Sequence, residues 1–305
     1  MANHQAYLDW MYMWILACYA GHSRGIIILL KASLKNIPVV GWGMVSFRES
    51  SWAADRANLT LALTQLGHDA QSGQEDHSSE SSSLLGAKKR SPLWLLIFPE
   101  GTITSDEERV KSVKYAEREG IPDFVTLLHP RSTGLLFCLR TLLPQVPDLQ
   151  LLDVTIGYPG VPYGKYPQEW YGLFSVFLRS VPPPTVHIHL HLYSNLTSPA
   201  SEVPSLTTKP LATGDDEPPS DTGLASPAEA RAFELWLRGV WTAKERRMEH
   251  FYQYQKFESG EGGAREVVPI RQTKWYHWIS AFGGGGMGTA AVAGIAVWQV
   301  ISHLS

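Results

Sequence analysis

The chain has 305 residues, enough for one sizeable domain with tails or for two small domains, and 44% of them are hydrophobic. Its formal charge of -3 argues against a nucleic-acid partner. Two cysteines, Cys18 and Cys138, lie in apolar segments without metal-ligand spacing, which argues against a disulfide scaffold or a cysteine metal site.

The chain starts Met1-Ala2-Asn3-His4-Gln5-Ala6-Tyr7-Leu8-Asp9, without the basic n-region of a signal peptide. On one continuous helix, His4 and Asp9 would point about 140° apart, because five steps of about 100° separate them. They meet only if His4 precedes the helix and Asp9 lies in its first turns. A carboxylate on one imidazole nitrogen leaves the other as a general base. The competing reading is a capping histidine and a first-turn aspartate. Trp10 to Ala20 reads as an apolar helix, Gly25 to Lys31 as a buried strand, and Ser33 to Trp42 as a short helix or turn. Ala53 to Leu66 has helical apolar spacing. Gly67 to Pro92, with a serine run from Ser78 to Ser83, reads as a disordered surface loop.

Leu93 to Phe98 is a short apolar run bounded by turn residues, and so a buried strand. It leads directly into Pro99-Glu100-Gly101-Thr102, where an open α/β sheet presents chemistry at its strand ends. Thr104 and Glu107 have capping-box spacing, so a helix is expected to begin there and to stop at Gly120. Arg131 opens the next helix, through Leu143, and is either a surface arginine or a phosphate partner at a helix N-terminus. Leu149 to Tyr158 is a strand. Thr185 to Tyr193 alternates: Val186, Ile188, Leu190 and Leu192 on one face, His187, His189 and His191 on the other. The histidines are either a metal set or the polar face of a half-buried strand. Pro227 to Phe257 is a long helical pattern with a basic face of Lys244, Arg246 and Arg247. It either docks on the domain or lies on a membrane. Ile279 to Ser302 carries no charge, and Trp275, Tyr276 and Trp278 precede it as an aromatic belt, which reads as a membrane span.

The two motifs Asn3-His4-Gln5-Ala6-Tyr7-Leu8-Asp9 and Phe98-Pro99-Glu100-Gly101-Thr102, in that order and with a strand under the second, resemble the signatures of glycerolipid acyltransferases. These are the lysophosphatidic acid and lysophospholipid acyltransferases of the endoplasmic reticulum. Lys31 to Pro38 and Gly41-Trp42-Gly43-Met44 resemble the eukaryotic branch of lysocardiolipin and lysophosphatidylinositol acyltransferases. Pro130-Arg131-Ser132-Thr133-Gly134 and Gly157-Tyr158-Pro159 are also similar to that family.

The resemblance implies an α/β fold, a mixed sheet flanked by helices, with a C-terminal amphipathic helix and a membrane-spanning tail. It divides the chain into an acyltransferase domain over 1–195 with a disordered insert at about 68–91, a linker over 196–226, the amphipathic helix over 227–258 and the span over 275–304. It implies acyl transfer from acyl-CoA to the glycerol hydroxyl of a lysophospholipid at the endoplasmic reticulum membrane, with no metal and no cofactor beyond acyl-CoA as co-substrate. His4 would be the general base and Asp9 its orienting partner. Glu100, Gly101 and Thr102 would help form the acceptor pocket, and Arg48 is the candidate for the acceptor phosphate; Arg131, by its place at a helix N-terminus, is a further candidate substrate-binding residue. Backbone N–H groups near Gly101 would hold the oxyanion. Two features depart from the pattern. Relatives carry an apolar anchor before the first motif, where this chain has Met1 and Ala2, and Gly43 to Trp52 is shorter than the second motif. The alternative is a catalytically impaired membrane-bound relative that binds lipid or acts as a scaffold.

Overall fold

The computed structural model describes residues 1–22, 25–29, 56–72, 91–206, 225–258 and 264–268. Arg48, the 31–44 stretch, most of the serine-rich insert and the 275–304 tail lie outside these residues. Within them, the helices and strands follow the order α1 (Asp9–Tyr19), β1 (Ile26–Ile28), α2 (Arg56–Ser72), β2 (Trp94–Leu96), α3 (Asp106–Glu119), α4 (Ser132–Leu142), β3 (Leu151–Gly157), α5 (Pro167–Trp170), β4 (His187–Tyr193) and α6 (Pro227–Tyr254). A π-helical turn, Phe174–Leu178, follows α5. Among the described residues no helix is long and apolar enough to cross a membrane.

The strand pairing is mixed, as expected for the α/β class. β1 runs parallel to β2, with Ile26 opposite Trp94, and β3 runs antiparallel to β4, with Leu151 opposite Tyr193. The first two residues join the pairs. The Ala2 amide donates to the Ile97 carbonyl at the end of β2, and the Val154 amide of β3 donates to the Met1 carbonyl. This stretch acts as a short strand between β2 and β3, which carries the following His4 to the C-terminal end of β2.

The helices close the core on both sides. Leu135, Leu136, Leu139 and Leu143 around α4 pack with Phe233, Leu237, Trp241 and Met248 of α6. Phe137, Cys138 and Leu142 turn the other way, onto Leu59 and Leu63 of α2. Each such side chain contributes roughly 1.5–3 kcal/mol by leaving water. Burial pushes the Cys138 thiol up to about 12.

Several boundaries differ from the sequence reading. α2 continues to Ser72, past the expected start of the insert at 68, and the Gln71 amide donates to the Gln145 carbonyl. α3 is capped by Ser105, whose hydroxyl accepts from the Glu108 amide, rather than by Thr104, which is buried. Residues 196–206 are not a solvated linker: Leu196, Val203 and Leu206 are each 2% exposed and belong to the main core.

β4 departs from the simple polar-out pattern at two of its three histidines, while His191 stays exposed. Leu190 and Leu192 are about half exposed, while His187 packs against Phe251 and His189 against Phe257, side chains on and just beyond α6. The cause lies in the partner strand. The histidines share a face with Asp153, Thr155 and Gly157 of β3, and α6 covers that face with Lys244, Arg247 and Phe251. The basic face expected on α6 is correspondingly half inside. Lys244 is fully buried against Asp153, and Arg247 donates to the Thr155 hydroxyl, so the helix docks on the domain.

Candidate functional site

His4 stands before α1 and Asp9 is the first residue of that helix, the arrangement that lets the two side chains meet. His4 Nδ1 lies 2.9 Å from Asp9 Oδ2. The same oxygen accepts the backbone amides of Gln5 and Ala6 at 2.6 and 2.9 Å, and Tyr158 donates its hydroxyl to Asp9 Oδ1 at 2.5 Å. Asp9 is completely buried, and four donors compensate the lost hydration. It therefore fixes both the turn and the imidazole. Burial, with the Asp9 charge second, holds the Tyr158 hydroxyl well above its ordinary range, so it stays a donor.

With Nδ1 engaged, the proton on that nitrogen faces the carboxylate and Nε2 is the basic lone pair. The ring stacks on Phe98 with 4.2 Å between centroids, which sets its plane. The start of α1, with Leu8 at its N-cap, has no side-chain cap; Asp9 instead ties down the turn before the helix and holds His4.

Glu100 follows β2 at the sharp turn that Gly101 makes with φ 74°. Its carboxyl is 2% exposed. Oε1 accepts from the His4 amide and from the Trp241 indole N–H, both at 3.3 Å. Oε2 is buried without a hydrogen-bond partner among the described residues. Burial pushes the carboxyl up to about 8, opposed by the bonds from Trp241, His4 and the Leu128 backbone. Burial thus favours the neutral carboxyl, which can donate as well as accept.

Arg131 joins this turn from the other side. Its amide donates to the Pro99 carbonyl at 2.8 Å. Its side chain lies over Gly101, where a Cβ would stand 3.6 Å from Nε and 3.7 Å from Cζ. The side chain is exposed at the N-cap of α4, a position favourable to anions. Glu100, Gly101 and Arg131 are therefore one cluster, with Thr102 half-buried beside them. Arg48 falls outside the described residues. The Gly101 amide itself donates to the Phe98 carbonyl within the turn, which takes it out of the set of N–H groups near Gly101 that could hold an oxyanion.

Sequence reasoning missed the groups that brace the site from α6. Trp241 reaches Glu100, and Glu245 accepts from the amides of Val125, Thr126 and Leu127 and from the Thr126 hydroxyl. A signal was present. Phe233, Leu237, Trp241, Met248 and Phe251 form an apolar stripe at helical spacing, and Lys244 and Glu245 interrupt it. Charges inside such a stripe must find partners on the surface it covers.

Residues 1–158 match the acyltransferase family. The chain is 32% identical to the 2-acyl-1-lysophosphatidylinositol acyltransferase of Saccharomyces cerevisiae over 85% of this chain and 62% of that protein. It is 28% identical to lysocardiolipin acyltransferase 1 of Danio rerio, over 82% and 51% of the two chains. It is also 28% identical to lysophosphatidylinositol acyltransferase 10 of Caenorhabditis elegans, over 83% and 52%. The chain thus spans half to two thirds of the length of these relatives. No solved structure matches it.

Proposed function

The chain belongs to the acyltransferase family, and from that premise we propose that it moves a fatty acyl group from acyl-CoA to the free glycerol hydroxyl of a lysophospholipid, of the lysophosphatidic acid or lysophosphatidylinositol type. The observation that carries this reading is the contact of His4 Nδ1 with the buried Asp9, together with Glu100 on the His4 backbone. In this mechanism His4 Nε2 takes the hydroxyl proton as the oxygen attacks the thioester carbonyl. Asp9 stabilises the imidazolium that forms. Collapse of the tetrahedral intermediate breaks the carbon–sulfur bond, and the imidazolium returns the proton to the leaving thiolate. The products are the diacyl lipid and free CoA, and no covalent enzyme intermediate is needed. Glu100 Oε2 binds an acceptor oxygen, and Arg131 binds the acceptor phosphate.

A lipid substrate places the work at a membrane surface, in our reading that of the endoplasmic reticulum. Exposed apolar side chains after α5 support this. Phe174 is 58%, Leu178 72% and Val181 51% exposed. The Arg179 guanidinium lies 5.1 Å from the Phe174 ring centroid, between apolar surface and water. α5, which this segment follows, touches the first motif: the Tyr7 amide donates to the Gln168 side chain.

The test is incubation of the purified chain with oleoyl-CoA and a panel of lysophospholipids, read by mass spectrometry of the lipid product. Formation of diacyl lipid with stoichiometric free CoA supports the reading. Lipid binding without product at any acceptor would favour the impaired, lipid-binding alternative.

A further inference from the structure

The match to the family ends at residue 158, yet the site is closed by a helix that begins at Pro227. α6 is held firmly in register. Ser226 and Glu229 form a reciprocal capping box at its start, and Phe233, Leu237, Trp241, Lys244, Met248 and Phe251 are all completely buried. Lys244 fixes the middle of the helix by donating to Asp153 at 2.7 Å and to the Val154 carbonyl at 2.6 Å. Apolar packing and this ion pair are sufficient to dock a helix. Trp241 and Glu245 do something else: four residues apart and on one face, they reach the two sides of the His4 turn.

On one side, the Trp241 indole N–H and the His4 amide converge on the same oxygen of Glu100. With Oε1 pinned twice, the direction of the unpartnered Oε2 is fixed. On the other side, Glu245 gathers three consecutive amides and a hydroxyl at distances from 2.6 to 3.1 Å. That loop presents the Thr126 carbonyl to the Gln5 side chain at 3.1 Å, and the Gln5 amide bonds the Asp9 carboxylate. Two chains of contacts thus run from one helix face, through Glu100 and through Gln5, to the residues flanking His4.

We propose that Trp241 and Glu245 are positioning residues of the acyl-transfer site: Trp241 aims the free oxygen of Glu100 at the acceptor, and Glu245 holds the loop that carries Gln5 and the Asp9 turn. The proposal rests on the acyltransferase reading for its kinetic consequence but not for its geometry. Neither residue touches a substrate. Trp241 acts through Glu100, so its loss falls on acceptor use and on the ionisation of Glu100; Glu245 acts through Gln5 and the turn that holds His4, so its loss falls on kcat.

The experiment uses the full chain and Trp241→Phe, which keeps an aromatic ring and removes the N–H. The first readout is the titration of Glu100, followed by NMR with carboxyl-labelled glutamate and assigned with Glu100→Gln. Loss of a bond to the charged form moves that titration to higher pH. The second readout is kinetic. The KM for lysophospholipid rises roughly tenfold, the KM for acyl-CoA stays, and the alkaline limb of the pH–rate profile moves up with the Glu100 titration. In a Glu100→Gln background, Trp241→Phe leaves the profile unmoved. Glu245→Gln, which cannot accept all four bonds, lowers kcat while leaving the Glu100 titration in place. A folded Trp241→Phe protein with an unchanged Glu100 titration overturns the Trp241 assignment whether or not the chain turns over. Should the wild type make no product, the acyltransferase reading fails by itself while the titration still decides this one. A Glu245→Gln protein with wild-type kcat, or with its loss confined to thermal stability, overturns the Glu245 assignment.

Discussion

Replacing Asp9 by asparagine separates charge from geometry at the proposed base. Asp9 Oδ2 accepts from the Gln5 and Ala6 amides and lies 2.9 Å from His4 Nδ1. An amide nitrogen at that position would face two N–H donors, so the asparagine must turn its oxygen there. Its NH2 group then meets the Tyr158 hydroxyl, which rotates to accept. The imidazole keeps its tautomer and plane, and only the negative charge opposite the developing imidazolium is lost. A hydrogen bond to a charged group is worth about 1.5–3 kcal/mol, so kcat should fall roughly ten- to a hundred-fold with little change in either KM. This is gentler than a variant in which the tautomer itself is wrong. The assay is initial-rate acyl transfer over a range of both substrates, on protein whose fold is checked by circular dichroism. A folded Asp9→Asn protein with wild-type kcat would refute the reasoning and leave Asp9 with the turn before α1 alone.

Glu100→Gln should stabilise the chain increasingly as pH rises. The folded carboxyl is raised from 4.5 to about 8, so the wild type loses stability as pH climbs through that window, roughly 5 kcal/mol in total. Thermal melts at pH 5 and pH 8 should show a gap between variant and wild type that widens at pH 8. Lys244→Met should cost about 3–5 kcal/mol in urea unfolding, because it leaves Asp153 buried and unpaired; adding Asp153→Leu should recover much of that loss. Arg131→Ala, at an exposed position, should raise the KM for phosphate-bearing acceptors up to about tenfold and leave that for acyl-CoA near wild type, as measured by initial rates.

Local chemistry made part of this site legible in advance. The five-residue spacing of His4 and Asp9 required a helix to start between them, and it does. Gly101 and Gly120 take the left-handed backbone that a turn and a helix end ask for, with φ of 74° and 63°. What could not be read were facts that depend on the partner across a gap. Alternation placed the β4 histidines together but could not show that His187 and His189 turn inward, because α6 decides how much of that face is covered. The Pro- and Ser-rich composition of 194–206 hid three residues, Leu196, Val203 and Leu206, that enter the core. Thr104 and Ser105 are both good caps, and the turn after Gly101 selects the second. Trp241 and Glu245 lie more than a hundred residues from the groups they bind, and no local rule links them.

The central claim is that the imidazole of His4 is the base for acyl transfer. It is tested most directly by giving radiolabelled oleoyl-CoA and an accepted lysophospholipid to the wild-type chain and to His4→Ala, and counting label in the diacyl lipid. The ring is only 12% exposed but packs mainly on Phe98, so the variant should fold. The account predicts labelled product from the wild type and none above the protein-free background from folded His4→Ala. Product from His4→Ala at the wild-type rate would contradict it.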